Sequence, residues 1–550
     1  MKECSNCDVV VVGSGLAGMI CAITAAQNGA RVHMAVNGKC GYSGSSFYPK
    51  SLPWGILSSG SGERSDEIFY NETITASQGC LDAKLVKRMV ENSNDVLKMM
   101  QSWGIAFEDH EKSGEVPCFG KTNRGHQLLN LESARTAYLQ EMRISGVKMI
   151  EDFHAIDLLV YRNQCFGVVG FNADQELLQI RAKATVLATG GAESLFRCGL
   201  SNPAMTGEGY AMALRNGAQL TNMEFIQFIP ASTGPVRGIN FHHTTLASQP
   251  EITDQDGREL IRDYLPQGIT KEECLSLRST HGPFSNEDNS RYFDLSMVKS
   301  QRDPSFPKGF QVHYNESLLK EARYRQWIDY LKSQNIDFMR SPIEIYPHAQ
   351  GFNGGILIDE FCRTGIQGMF ACGEVSGGQH GANRMGGNAI LDTQVFGIFA
   401  GKSAAAYAAT AHVPPVTYRL GRIFDTGNKS KLSMGELKEE IKSIMQKSAC
   451  VARNGNDIAA ALGQLNQLQS LWNPMDFPAS DLKEAISLSN QLTTAKAVLS
   501  AIDARKESRG SHCREDYPEK QFGMEKVRFI IIQNQNKEIA IRRENLAETP

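Results

Sequence analysis

The sequence predicts an α/β protein: a doubly wound domain interrupted by an inserted α+β segment and followed by a helical bundle. Three observations predict it. A strand, a glycine turn, a helix and a second strand follow one another within residues 8–36. Short apolar strands ending in glycine return at ATVLATGG (184–191) and MFACGEVSGG (369–378). From about 428 to 505 the apolar residues change to i, i+3, i+4 spacing, the period of amphipathic helices.

In chain order, Asp8–Val12 (DVVVV) reads as a buried parallel strand. It leads into Gly13, Ser14, Gly15, Leu16, Ala17 and Gly18, a GxGxxG, then into a small-residue helix that ends at Gly29. Arg31–Val36 is the second strand. Glycines at these places let the backbone approach a pyrophosphate, which then sits at the positive end of the helix. The unit reads as dinucleotide-binding; a tight turn in an unrelated α/β domain is the bland alternative. The acidic residue that usually closes the second strand is missing from AVNGK, which leaves the ribose to the Asn37 amide or to another segment of the chain. Alone, the unit leaves FAD and NAD open. Ala188, Thr189 and Gly190 at the second strand and Glu374 at the third complete a nucleotide domain built from three distant segments, a layout that favours FAD. Asn388, Ala389 and Ile390 open an apolar helix whose amides and dipole suit a reduced flavin ring.

The stretch HGANRMGGNAILD (380–392) places Arg384 among glycines, as expected where a planar guanidinium grips a carboxylate beside a flavin. The expected divisions are a nucleotide domain at 1–232 and 351–425, a capping domain at 233–350, a helical domain at 426–515 and a tail hairpin at 516–550. The formal net charge of −3 provides no basic field for nucleic acid. No apolar run reaches the roughly 18 residues of a membrane span. No signal-peptide pattern precedes the first strand, so the reading is cytoplasmic. The 13 cysteines are scattered, against a disulfide framework. Cys4 and Cys7 form a CxxC with no second pair for a metal, and read as two free thiols on a frayed end.

Five segments in order resemble the flavoprotein subunits of fumarate reductase and succinate dehydrogenase, together with L-aspartate oxidase. They are GSGLAG (13–18), LATGGA (187–192), MTGEGYAMALRNGAQLTNMEFIQF (205–228), GMFACGEVSGGQHGANRMGGNAILD (368–392) and ARKESRGSHCRED (504–516). The resemblance implies a Rossmann-like FAD-binding domain, a lid over the flavin, hydride transfer at a carboxylate substrate and, in some members, an iron–sulfur partner. The histidine that carries covalent flavin in some members is replaced near Gly44, so the flavin is expected to be non-covalent. Ser43 and Ser45 are then candidates to hydrogen-bond it. Glu208 stands where the family has an aspartate in a TGDG turn, and is a candidate ribose or backbone contact. Two substrate histidines of the family become Ile229 and Gln350; Arg384 carries over cleanly.

Chemically, hydride exchange at a flavin needs a fixed cation for the carboxylate and a group that moves a proton. Arg384 is the cation; His242, His243, Arg278 and His348 are the candidate proton carriers, each with a structural role as its alternative. Arg509, His512 and Arg514 read as packing. The expected function is an FAD-dependent oxidoreductase acting at a carbon–carbon bond beside a carboxylate, on a substrate other than fumarate. The alternatives are L-aspartate oxidase-like oxidation of an amino acid, and an electron-transfer role within an iron–sulfur complex.

Overall fold

A computed structural model describes residues 2–48, 55–108, 118–122, 127–254, 256–259, 264–300, 309–321, 324–413, 429–534 and 536–546. Strand β1 (Lys2–Val12) enters helix α1 (Leu16–Gln27), which returns to β2 (Val32–Ala35). The run DVVVV has both faces covered, and Val9, Val10 and Val11 are fully buried. β1 pairs in parallel with β2 (Val9↔Val32) and with the strand Leu177–Leu187 (Val9↔Ala184, Val12↔Leu187). β2 pairs onward with Lys148–Ile150. On the other side, the antiparallel strands Gln164–Phe171 and His154–Tyr161 extend the sheet. Met369–Ala371 joins Leu177–Leu187 in parallel, which brings the third glycine-ended strand to the first two.

β1 is longer than the apolar run suggests. It begins at Lys2, and its pairing with Leu178–Ala182 buries Cys7. The frayed end is thereby corrected for Cys7, whose thiol is pushed up to about 12 by burial, against small opposing effects from a backbone hydrogen bond and nearby cations. The side chain of Cys4 lies outside the described residues.

Over the nucleotide domain lies a second sheet, in the order Ile226–Gly234, Ile343–Phe352, Phe310–His313, Glu251–Thr253. It has its own apolar cluster, including Phe241, Phe293, Trp327 and Ile345. Helices Met434–Ser448, Gly455–Ser470 and Leu482–Ala504 form the bundle. The first starts at a capping box: Ser433 receives the Glu436 amide while the Glu436 carboxylate receives that of Ser433. The tail hairpin Val527–Gln533 and Ile539–Asn545 extends a five-stranded sheet through Leu220–Thr221. Arg505, with no exposure, ties tail to bundle through Glu224 at 2.8 Å, Glu507 at 2.9 Å and the Val527 carbonyl at 3.0 Å. Arg514 and His512 are also fully buried, and Arg453 donates to His512 Nδ1 at 2.7 Å. Among the described residues no helix is long and apolar enough to cross a membrane.

Candidate active site

A cavity opens along the glycine turn. Gly13 has φ +109°, and a Cβ there would meet the Ala188 carbonyl oxygen at 2.2 Å, so the turn and the second glycine-ended strand touch directly. Gly15 caps α1 without a side-chain hydrogen bond; Ser46 Oγ accepts the Leu16 amide at 3.1 Å, which leaves the other early N–H groups of the first turn for an anion. Gly13, Ser14, Gly15, Ala17, Asn37, Ser43, Gly44, Ser45, Ala188, Thr189, Gly190, Glu208 and Glu374 line this cavity. Ser45 Oγ and Thr189 Oγ1 are buried there without a hydrogen-bond partner among the described residues. These orphaned hydroxyls fit a polar cofactor along this wall.

Four expected contacts are not on the wall. Gly18 serves close packing instead: a Cβ there would lie 2.0 Å from the Gly13 carbonyl oxygen. Asn388, Ala389 and Ile390 open the helix Asn388–Thr410, whose Thr393 does reach the cavity. Asn388 is buried, its amide 3.4 Å from Thr73 Oγ1 and its Oδ1 unpartnered among the described residues.

Sequence reasoning missed His154, which lines the cavity and meets Glu208 at 2.9 Å. Burial alone would lower the His154 pKa, but the Glu208 carboxylate outweighs it and the value is raised. Burial likewise works to raise Glu208, yet His154 and hydroxyls from Ser487 and Thr206 hold it below the usual carboxylate range. The two residues are far apart in the chain and no local pattern joins them.

Arg384 sits in a loop bent at Gly381 (φ +63°), where a Cβ would collide with the Gly79 carbonyl at 2.1 Å. Its Nε donates to Gln227 Oε1 at 2.8 Å, and Gln227 Nε2 returns a bond to the Arg384 carbonyl at 3.2 Å. No described residue accepts from its terminal nitrogens, so the outer fork of the guanidinium is available for a carboxylate. Cys118, also missed, closes the neighbourhood: its carbonyl accepts the Gly386 amide at 2.9 Å and its Sγ accepts the Gly282 amide at 3.3 Å. His243 lies beside Gly282, its Nδ1 3.4 Å from where a Cβ of that glycine would stand. A chain of contacts therefore runs from the Arg384 loop at Gly386 through Cys118 to Gly282 and His243. Burial, then His242 and Arg278, lower the His243 pKa well below its ordinary value, so it is neutral.

The other proton-carrier candidates are placed differently. Arg278 is fully buried in an ion pair with Asp294 at 2.7 Å and donates to the carbonyls of His281 and Gly282. That placement corrects the expectation: its guanidinium braces the Gly282 turn. His242 packs edge-on to Tyr324 and Trp327 in the lid, its Nδ1 bonded to Thr244 Oγ1 at 2.8 Å. His348 bonds the Tyr346 carbonyl at 2.8 Å and faces a second cavity shared with Arg237 and Lys442. Burial takes it down to about 4.

The FAD binding domain family model matches residues 8–390, and that of the fumarate reductase flavoprotein C-terminus matches residues 438–549. The chain belongs to this family of FAD-dependent oxidoreductases. It is 29% identical to one subunit of the fumarate reductase (CoM/CoB) of Methanothermobacter marburgensis, over 94% of this chain and 96% of that one. It is 25% identical to L-aspartate oxidase of Streptomyces coelicolor, over 99% and 94%. Among solved structures, FrdA of E. coli quinol fumarate reductase superposes with a TM-score of 0.78 at 22% identity, covering 100% of this chain and 98% of that chain. Sdh1 of Mycobacterium smegmatis gives 0.82 at 21% identity, with 100% and 95% covered. The protein binds FAD, whose flavin supplies hydride exchange.

Proposed function

We propose that the protein reduces or dehydrogenates a carbon–carbon bond next to a carboxylate, with non-covalent FAD. The observation that carries this reading is Arg384: it is pinned at Nε by Gln227, and its outer fork is unclaimed among the described residues. A carboxylate seated on that fork would be oriented at two points. His243, neutral and inside the lid, is the candidate to move the proton. Gln350 and Ile229 stand where the family places substrate histidines, and the buried Gln350 Oε1 has no partner among the described residues. A second carboxylate would find no histidine there, which supports a substrate other than fumarate.

Oxidation of an amino acid is the second reading, favoured by the full-length similarity to an L-aspartate oxidase. Relatives named as subunits support work alongside an iron–sulfur or other electron-transfer partner.

The test is anaerobic reduction of the bound flavin followed by reoxidation with fumarate, cinnamates, urocanate and other 2-enoates. Reoxidation by a 2-enoate other than fumarate is the expected result. Bleaching of the oxidised flavin by L-aspartate, with no response to any enoate, would replace this reading with the oxidase one.

A further inference from the structure

Gly191 separates two carboxyl groups. A Cβ built on it would lie 2.3 Å from Glu193 Oε1 and 2.7 Å from Glu374 Oε1, so both side chains converge on a point that only glycine leaves open. Glu193 belongs to the short turn Glu193–Leu195 and has no exposure. Among the described residues no cation pairs with it; the Ser201 hydroxyl and the Glu374 carboxyl are its polar neighbours. Glu374 lies on the cofactor cavity wall. Its Oε1 accepts the Phe352 amide at 3.0 Å and its carbonyl accepts the Tyr210 hydroxyl at 2.9 Å.

Two carboxylates this close, away from water, cannot both ionise. A proton retained between them turns repulsion into a charge-assisted hydrogen bond. We propose that Glu193 is a positioning residue for the cofactor: it keeps that proton, donates it to Glu374, and so holds the Glu374 carboxylate on the cavity wall as an acceptor for an FAD hydroxyl. Burial first, then the charge of Glu374 and the bond to it, lift Glu193 well above the usual carboxylate range. The other groups facing the pair do not remove that proton. Burial and the two carboxyls raise the Tyr210 hydroxyl, which stays neutral. Arg384 acts on Glu374 only through space, and Asp392, raised to about 7 by burial, carries only part of a charge at neutral pH.

The experiment compares the full-length protein with Glu193→Gln and Glu193→Ala by FAD dissociation constant across pH and by infrared spectroscopy of the carboxylic-acid carbonyl stretch. An amide donates the same bond without a titrating proton. Glu193→Gln is therefore expected to hold FAD within about twofold of wild type, and Glu193→Ala to lose about tenfold, the worth of one hydrogen bond to a charged group. Wild-type affinity should fall as pH climbs through the raised Glu193 pKa, whereas the glutamine variant should not follow. The wild-type minus Glu193→Gln difference spectrum should show a protonated-acid band at neutral pH, over the background from Asp392, which burial raises to about 7. Alanine binding as tightly as wild type, glutamine binding as poorly as alanine, or a missing acid band would each overturn the proposal. The infrared arm needs only wild type and the glutamine variant, so it decides even if the alanine variant does not fold.

Discussion

Arg384 owes its availability to Gln227, which occupies Nε and the backbone carbonyl and leaves the outer fork unclaimed among the described residues. Replacing Arg384 by Lys keeps the charge but removes the planar fork. Turnover should then drop about tenfold or more in kcat/KM, because a hydrogen bond to a charged group is worth about 1.5–3 kcal/mol; FAD content, read from the flavin absorbance, should be unchanged. The His154–Glu208 pair has two edges in pH. The raised His154 contributes below its unfolded pKa and stops contributing as pH rises through its folded one. The lowered Glu208 contributes above its unfolded pKa and stops as pH falls through its folded one. The difference in melting temperature between wild type and His154→Gln should therefore be largest between those two edges and shrink on both sides. A difference that is flat with pH would exclude the pair as its source. At this scale the sequence was legible wherever a residue's conformation comes from its immediate neighbours, as for the turn at Gly13 and the helix start at Gly15. It was silent for His154, Cys118 and Glu193, whose partners are brought to them by the fold.

At the scale of elements, the glycine turn and α1 could be read because close approach and an uncapped helix start leave a local trace in glycine spacing. Gly18→Ala should lose FAD: its methyl would fall 2.0 Å from the Gly13 carbonyl, forcing α1 off the strand. The three bundle helices were legible for a similar reason, since apolar period and caps are written in consecutive residues. Ser433→Ala, which removes one half of the capping box, should cost about 1 kcal/mol in denaturant unfolding and leave the flavin spectrum as it is. The extent of β1 was not legible. Lys2–Asn6 is too polar to announce a strand, and its conformation follows from pairing with Leu178–Arg181. The lid histidines show the same limit: HHTT signals a polar segment but not that His243 lies beside Gly282 while His242 packs against Tyr324 and Trp327.

Across the whole molecule, Arg505 joins Glu224, Glu507 and Val527, residues from the nucleotide domain, the segment after the bundle and the tail. Arg505→Met would leave the buried Glu224 carboxylate without its cation, while Glu507 would keep Arg509 at 2.9 Å. Global unfolding should weaken by about 3–5 kcal/mol, a loss that equilibrium denaturation would detect. The order of segments foretold this architecture, because separate strands returning to one glycine loop imply an insertion. What it did not foretell is that the tail hairpin becomes part of a sheet with Leu220–Thr221.

That pairing has a consequence for biosynthesis. The cavity needs Gly13, Thr189 and Glu374 together, and the strand Leu220–Thr221, paired on one side with Gly355–Leu357, gains its second neighbour from Val527–Gln533. A growing polypeptide on the ribosome has to carry an unfinished nucleotide site through most of its translation, with the early strands exposed to chaperones and proteases. Flavin capture therefore has to wait until the segment that carries Glu374 has been translated.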